Sequence, residues 1–322
     1  MGKLASPFLQ QDQQQLTRRR SSVAAEELHG QSERLRRECA VTLDIYRLAV
    51  EIDDGQLLPL MPPPFHDMVG SKALPIGTSV PFLCFADGSL PAGMPSKTTD
   101  LEPYLFGAYG SGKEPEYYVD GVVGELTTED EVRHALSRCT EEHSPYWITC
   151  EVPQIAHPSW FPRQPERSVP SYNTLIAGVG ASGIGMHQDG YKDRESGCHR
   201  LVSTYLTIGV GRKHVVMLPP SAEGEALAKQ LSSSSDEDGQ EGEAVGTSSR
   251  RVPEFPIRPP PDTLDAVVGC GGFWFDVDVA TEEGGRPLTI FIPVGWWHWL
   301  AGAADCEWHI AWGGSFLPSW NG

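Results

Sequence analysis

Long apolar runs, paired cysteines, internal repeats and positive charge are all scarce in this chain of 322 residues, and each scarcity narrows what it can be. No stretch approaches the roughly 20 consecutive apolar residues that a spanning helix needs. The N-terminus shows no apolar core of a secretory signal. A soluble protein of the cytoplasm or nucleus is expected. The seven cysteines, Cys39, Cys84, Cys139, Cys150, Cys198, Cys270 and Cys306, are odd in number and form no Cys-x-x-Cys. That spacing suits reduced thiols and offers neither a disulfide framework nor a thiolate zinc site. Lys and Arg number 25 against 43 Asp and Glu, a formal net charge of -18. Such a balance disfavours broad binding to nucleic acid or anionic membrane, without excluding a local basic groove. What the chain has in quantity is glycine, 34 residues, and proline, 27. Together they suit many short strands and turns better than a helical bundle.

Composition also sets the expected organisation. Residues 1–25 are rich in Gln and Arg and read as a disordered leader. Residues 26–144 read as a flanking region, helical and irregular. In it Leu28, Leu35, Cys39, Leu43 and Tyr46 recur at helical intervals between about Ala24 and Val50. Thr128-Glu-Asp-Glu131 is a capping box that should open a short helix through about Arg138. Residues 145–320 read as the main β domain, interrupted at 222–251 by a segment centred on Ser232-Ser-Ser-Ser-Asp-Glu-Asp. That segment is expected to be a disordered acidic insertion.

The chemistry concentrates in three places. His187-Gln188-Asp189 follows a strand-like run and glycines 178, 180, 183 and 185, which allow tight turns and close approach. Side chains two apart on an extended segment point the same way, so His187 and Asp189 can converge on one ion. Next, Ser203–Pro220 reads as two strands joined at Gly211-Arg212, with Lys213, Val215 and Met217 sharing a face. If that face is interior, Lys213 is a buried cation that calls for an anion, such as a dicarboxylic co-substrate. Finally, the apolar run Ile290-Phe-Ile-Pro-Val-Gly-Trp-Trp-His298 ends on an imidazole. Two imidazoles and one carboxylate are the ligand set of a facial triad, which leaves one face of a ferrous ion open. Each group also has a plainer role open to it: His298 as a core histidine, Lys213 as a hairpin surface residue, Thr204 as an ordinary strand residue. Trp296, Trp297, Trp299, Trp308 and Trp312 read as packing, and Cys198 and His199 as loop residues without metal.

In this order, His-x-Asp, then Gly-x-Lys with apolar residues and Pro-Pro, then Ile-Pro-x-x-Trp-Trp-His, the motifs resemble the Jumonji C (cupin-8-like) family of Fe(II)- and 2-oxoglutarate-dependent oxygenases. The likeness covers residues 145–318. It implies a mainly β fold, a double-stranded β-helix or cupin jelly roll with N-terminal flanking helices. It implies Fe(II), 2-oxoglutarate and O2 as cofactor and co-substrates. His187, Asp189 and His298 correspond to the iron ligands and catalytic centre, and Lys213 to the lysine that pairs with the distal carboxylate of 2-oxoglutarate. Thr204 falls where members carry a polar residue near the co-substrate. Tyr146, in Pro-Tyr-Trp-Ile-Thr, is the nearest match to a tyrosine that many members use. The chain departs from the family in Glu283-Gly-Gly-Arg-Pro-Leu, which lacks the usual Gly-Asp. A long link, Gly190–Arg200, stands where it could shape substrate access.

With no reader, zinc-finger or DNA-binding module alongside, the layout resembles small hydroxylases of protein side chains, so a protein substrate is expected. The alternatives are a lysine demethylase of histones or other proteins, a tRNA-base hydroxylase, and a non-catalytic cupin-fold binding protein. A cupin isomerase holding zinc or manganese is a further one. Met1-Gly2-Lys-Leu-Ala-Ser6 fits a loose myristoylation pattern, which would make Gly2 a weak lipid anchor.

Overall fold

The computed structural model describes residues 41–42, 51–52, 56–57, 63, 79–86, 103, 116–119, 122–125, 128–131, 133–134, 146–151, 158–160, 174–192, 197–233, 250–251, 260–279 and 287–316. They are mainly β. In chain order the strands are β1 (Val41–Thr42), β2 (Glu51–Ile52), β3 (Gln56–Leu57), β4 (Phe82–Phe85), β5 (Glu116–Val119), β6 (Val122–Glu125), β7 (Tyr146–Glu151) and β8 (Thr174–Val179). Then come β9 (Gly190–Lys192), β10 (His199–Leu201), β11 (Ser203–Leu218), β12 (Arg250–Arg251), β13 (Phe273–Val279), β14 (Leu288–Ile292), β15 (Trp297–Gly302) and β16 (His309–Phe316). Among the described residues, the two helices with complete bounds are α1 (Ala222–Ser233) and α2 (Pro261–Gly269).

Strand β11 organises the rest. Its first half pairs with β14, from Thr204↔Ile292 to Ile208↔Leu288, and with β16, from Ser203↔Phe316 onward. Its second half pairs with β13, from Gly211↔Val279, and with β15, from Lys213↔Gly302 to Leu218↔Trp297. Every pairing is antiparallel. The sheet continues outward through β4 on β14 and through β8, β7, β5 and β6 beyond β16. The two strands expected on either side of Gly211-Arg212 are therefore one strand of 16 residues. Gly211 does take a left-handed φ of 84°, and the register shifts between Ile208 and Val210. The glycine serves a crossing between sheet halves rather than a chain reversal. A side chain there would collide with the Trp308 carbonyl.

Period-two alternation explains which faces are buried. Val215, Met217, Phe275, Val277 and Val279 from one half pack against Leu83, Ile208, Leu288, Ile290 and Ile292 from the other, forming the central core. The opposite face of the second half (Val216, Leu218, Trp274, Trp299) is covered by Leu227 and Ala228 of α1 and Leu264 and Val267 of α2. On that same outer side His214 and Asp276, cross-strand partners, pair at 2.6 Å. The outer face of the first half carries an aromatic cluster of Phe82, Trp160, Tyr205, Phe291 and Phe316.

Helix α1 corrects the expectation that the whole of 222–251 is disordered. Leu227, Ala228 and Leu231 fall three and four apart and supply the apolar stripe that docks on the sheet. Ser221 caps the helix by accepting the Gly224 amide at 3.1 Å, and Glu223 and Glu225 in the first turn suit its dipole. The serine-rich acidic core beyond it, residues 234–249, lies outside the described residues, as does the leader 1–25. The helical periodicity of 24–50 is also mostly outside them, but Val41–Thr42 inside it form a strand on Val279 and Asp278. There, ladder pairing to the β13 edge takes precedence over a helical apolar stripe. The capping box is present: the Thr128 amide donates to Glu131 at 2.9 Å and the Glu131 amide to Thr128 at 3.2 Å. Among the described residues no helix is long and apolar enough to cross a membrane.

If α1 is a docked helix, Leu227→Ala should destabilise the protein by about 2 kcal/mol. Glu225→Ala, which removes an exposed pairing with Lys229 and one first-turn charge, should cost less, within about 1 kcal/mol. Urea denaturation of both variants measures the contrast, and equal effects would mean that α1 is not packed.

Candidate metal centre

Strand β8 carries the chain to Gly180, where a φ of 63° turns it toward β15. Two isolated antiparallel bridges then join this segment to β15, Gly183↔Ala301 and His187↔His298. Between them one side advances four residues and the other three. The extra residue is a bulge, accommodated around Gly185 with its φ of 86°. Gly183 has no room for a side chain, since a Cβ would lie 2.5 Å from the Leu300 carbonyl.

The bridge at His187 is closed by both of its backbone bonds. The His187 amide donates to the His298 carbonyl at 3.0 Å, and the His298 amide to the His187 carbonyl at 2.8 Å. Directly opposed residues share a face, and the two rings stand 4.2 Å apart between centroids. Asp189, two residues on, joins them. Its Oδ2 lies 3.3 Å from His298 Nε2 and its Oδ1 3.7 Å from His187 Nε2. All three donor atoms lie within 4.8 Å of one another. Donors about 2.1 Å from a shared ion and at right angles would sit about 3 Å apart, so small side-chain adjustments suffice.

Both rings are oriented from behind. His187 Nδ1 contacts the Gly185 carbonyl at 2.8 Å and His298 Nδ1 the Trp296 carbonyl at 3.2 Å. A carbonyl only accepts, so each Nδ1 carries the proton and each Nε2 lone pair is directed at the cluster. Gln188 projects the other way and donates to the Gly295 carbonyl at 2.6 Å, tying this strand to the turn that leads into His298.

The cluster opens onto a cavity of about 180 Å³. Thr204 and Lys213 both line it, as do the apolar Ile176, Leu206, Ile292 and Leu300. Lys213 is buried, as the inward-face expectation required, and its Nζ lies 3.1 Å from His309 Nδ1. Thr204 Oγ1 is 3.1 Å from Ser315 Oγ. Tyr146 opens β7 opposite Val179, but its side chain is outside the described residues. The link after Asp189 forms a hairpin, β9 on β10, beside the cluster. Cys84, Cys198, Cys270 and Cys306 are free thiols.

Several polar residues went unforeseen in the sequence: Thr149, Thr174, Ser182 and Ser315, which line the cavity, and His309, which stands behind Lys213. Thr149 Oγ1 is buried without a hydrogen-bond partner. His309 is a lone ionisable residue in an otherwise apolar and glycine-rich strand. That oddity is the one local signal that could have revealed it.

Burial governs the electrostatics. It pulls His298 down to about 4, helped by His187 and opposed by Asp189 and the Trp296 carbonyl. Burial, then Lys213, also holds His309 well below its ordinary value. Burial draws Lys213 down to about 8, with Cys306 acting in the opposite sense. For Asp189 burial acts upward, but His298, His187 and the Thr204 hydroxyl outweigh it and keep the carboxyl below its usual value. At neutral pH His298 is thus a neutral imidazole and Asp189 a carboxylate, the forms that bind metal.

The described residues define a mainly β protein whose His-Asp-His cluster can hold a metal ion. No protein-family model matches the sequence, and no curated protein matches it. Among solved structures, one similar chain is the X-ray structure of E. coli ycfD, 12% identical, with a TM-score of 0.39. The alignment covers 75% of this chain and 50% of that one, so the chain spans about half the length of this neighbour.

Imidazoles whose folded pKa lies below the unfolded value contribute stability that is complete above the unfolded pKa and is lost as pH falls below it. For His298 that loss runs from about 6.5 to about 4, and His309 acts in the same direction. Metal-free protein should therefore show a falling urea midpoint between pH 6.5 and 5, above the range of ordinary carboxylates. An unchanged midpoint would mean that neither ring is buried neutral.

Proposed function

We propose that this chain is an Fe(II)- and 2-oxoglutarate-dependent oxygenase of the Jumonji C kind, hydroxylating a side chain of a protein substrate. The observation that carries this reading is the convergence of His187, Asp189 and His298 at the mouth of a cavity that also contains a buried lysine. On this reading the sheet halves shared by β11 are the two layers of a double-stranded β-helix.

The residues fit the groups they would hold. Two imidazole nitrogens and one carboxylate oxygen suit a ferrous ion and leave neighbouring positions open. A buried ammonium and an unpartnered buried hydroxyl, Lys213 and Thr149, call for an anion. A divalent cation, Asp189, Lys213 and a dicarboxylate dianion have cancelling charges, which is the condition for enclosing all four away from water. When bound, ferrous iron would supply the activation of oxygen that is coupled to oxidative decarboxylation of the keto acid.

The chain's own groups do the positioning. His187 and His298, locked by the carbonyls behind them, present their Nε2 atoms without reorganisation. Asp189 supplies the negative charge, supported by the Thr204 hydroxyl. Lys213 neutralises the far carboxylate and so sets the orientation of the co-substrate. Ile176, Leu206, Ile292 and Leu300 exclude water from the space between. The β9–β10 hairpin, running directly from Asp189, stands where a substrate segment would approach. A protein segment fits the net charge of -18 better than a polyanionic nucleic acid does.

Incubation with Fe(II), ascorbate and 2-oxoglutarate should release succinate, and His187→Ala should reduce that release by at least about 100-fold. Calorimetry separates the remaining possibilities. Metal uptake without binding of 2-oxoglutarate would overturn the oxygenase reading in favour of a cupin that uses metal alone. Binding of both without succinate release would leave a binding protein.

A further inference from the structure

Lys213 heads a three-residue chain whose other two members, His309 and Ser182, the ligand roles above do not use. Lys213 Nζ is 3.1 Å from His309 Nδ1, and His309 Nε2 is 3.1 Å from Ser182 Oγ. All three side chains are buried, at 3%, 0% and 1% exposure. An ammonium only donates, so His309 Nδ1 must accept. The ring proton then sits on Nε2 and is donated to the serine oxygen. That leaves the remaining Lys213 protons and the Ser182 hydroxyl proton available, and both residues line the cavity.

The fold makes specific room for this ring. Gly302 faces it, and a Cβ at that position would strike His309 Nε2 at 2.6 Å and collide with the Gly180 carbonyl. The Gly302 amide in turn donates to the Ser182 carbonyl at 2.9 Å, and the Ser182 amide to the Gly180 carbonyl at 2.8 Å. Ring, serine and glycine thus form one interlocked unit joining β16, β15 and the turn after β8. A histidine wanted only for packing would not need acceptors and donors matched at both nitrogens.

We propose that His309 is a positioning residue: by accepting from Lys213 and donating to Ser182, it aims both as donors at one carboxylate of the dicarboxylic co-substrate. This rests on the function proposed above. His309 does not touch the ligand. It holds Lys213 extended toward the cavity and keeps an acceptor on a buried ammonium that otherwise has every reason to shed its proton or turn away.

The test uses full-length protein loaded with Mn(II) in place of iron, titrated calorimetrically with 2-oxoglutarate and with 2-oxobutyrate, a keto acid without the distal carboxylate. Wild type should prefer 2-oxoglutarate. His309→Leu should weaken 2-oxoglutarate about 10- to 100-fold, as expected for loss of a hydrogen bond to a charged group, while leaving 2-oxobutyrate and Mn(II) affinity unchanged. Asn and Gln separate the two nitrogens, because an asparagine oxygen reaches the Nδ1 position and a glutamine nitrogen the Nε2 position. His309→Asn should therefore retain more of the preference than His309→Gln. Equal weakening of both keto acids, or no change in either, would overturn the role given to His309. Should wild type with Mn(II) bind no 2-oxoglutarate, the proposed function itself fails and this inference with it. If His309→Leu does not fold, the Asn and Gln variants decide alone.

Discussion

The site depends on one pair of backbone hydrogen bonds, those exchanged by His187 and His298. Everything about the cluster is a consequence of that register. Opposed residues in an antiparallel pair place their side chains together, and a slip of one residue would send one imidazole to the far side of the sheet. The register is held from several sides: by the bulge at Gly185, by the close contact at Gly183, and by Gln188 gripping the turn at Gly295. The glycines upstream of His187 therefore have distinct tasks. One allows backbones to touch, and another absorbs the additional residue that re-aims the histidine.

The cavity shows a division of labour set by its dielectric environment. At one end three donors converge, where burial acts on His298 and the neighbouring imidazoles on Asp189. Farther in, a cation is enclosed among strands that offer it one neutral acceptor. Apolar residues separate the two. Under the function proposed above, such an arrangement becomes balanced when a ligand carries negative charge inward, which is how it would select an anion over a neutral molecule of similar size.

Much of this centre was legible in the sequence because its parts are short-range. The two-residue spacing of His187 and Asp189, the apolar approach to His298, and the inward placement of Lys213 are all consequences of strand periodicity. Errors arose where distant contacts decide. Gly211 reads as a turn, yet β11 runs straight through it because each half finds its own partners in β13–β16. The helix Ala222–Ser233 was obscured by the serine and acidic run after it, although Leu227, Ala228 and Leu231 carry the stripe that folds it. Ser182, Thr149 and His309 have no motif. Their significance exists only once the folded sheet sets Thr149 and Ser182 in the cavity wall and His309 behind Lys213.

The sharing of β11 between the two sheet halves has a consequence for how the molecule comes apart. Thr204 and Lys213 belong to the same sixteen-residue strand, one in each half. Prising the halves from one another would strain that strand in its middle, so its continuity opposes the opening of one half alone. Amide protons along β11, paired on both sides, are then expected among the slowest to exchange with solvent. A ligand spanning the cavity would slow that exchange across both halves at once.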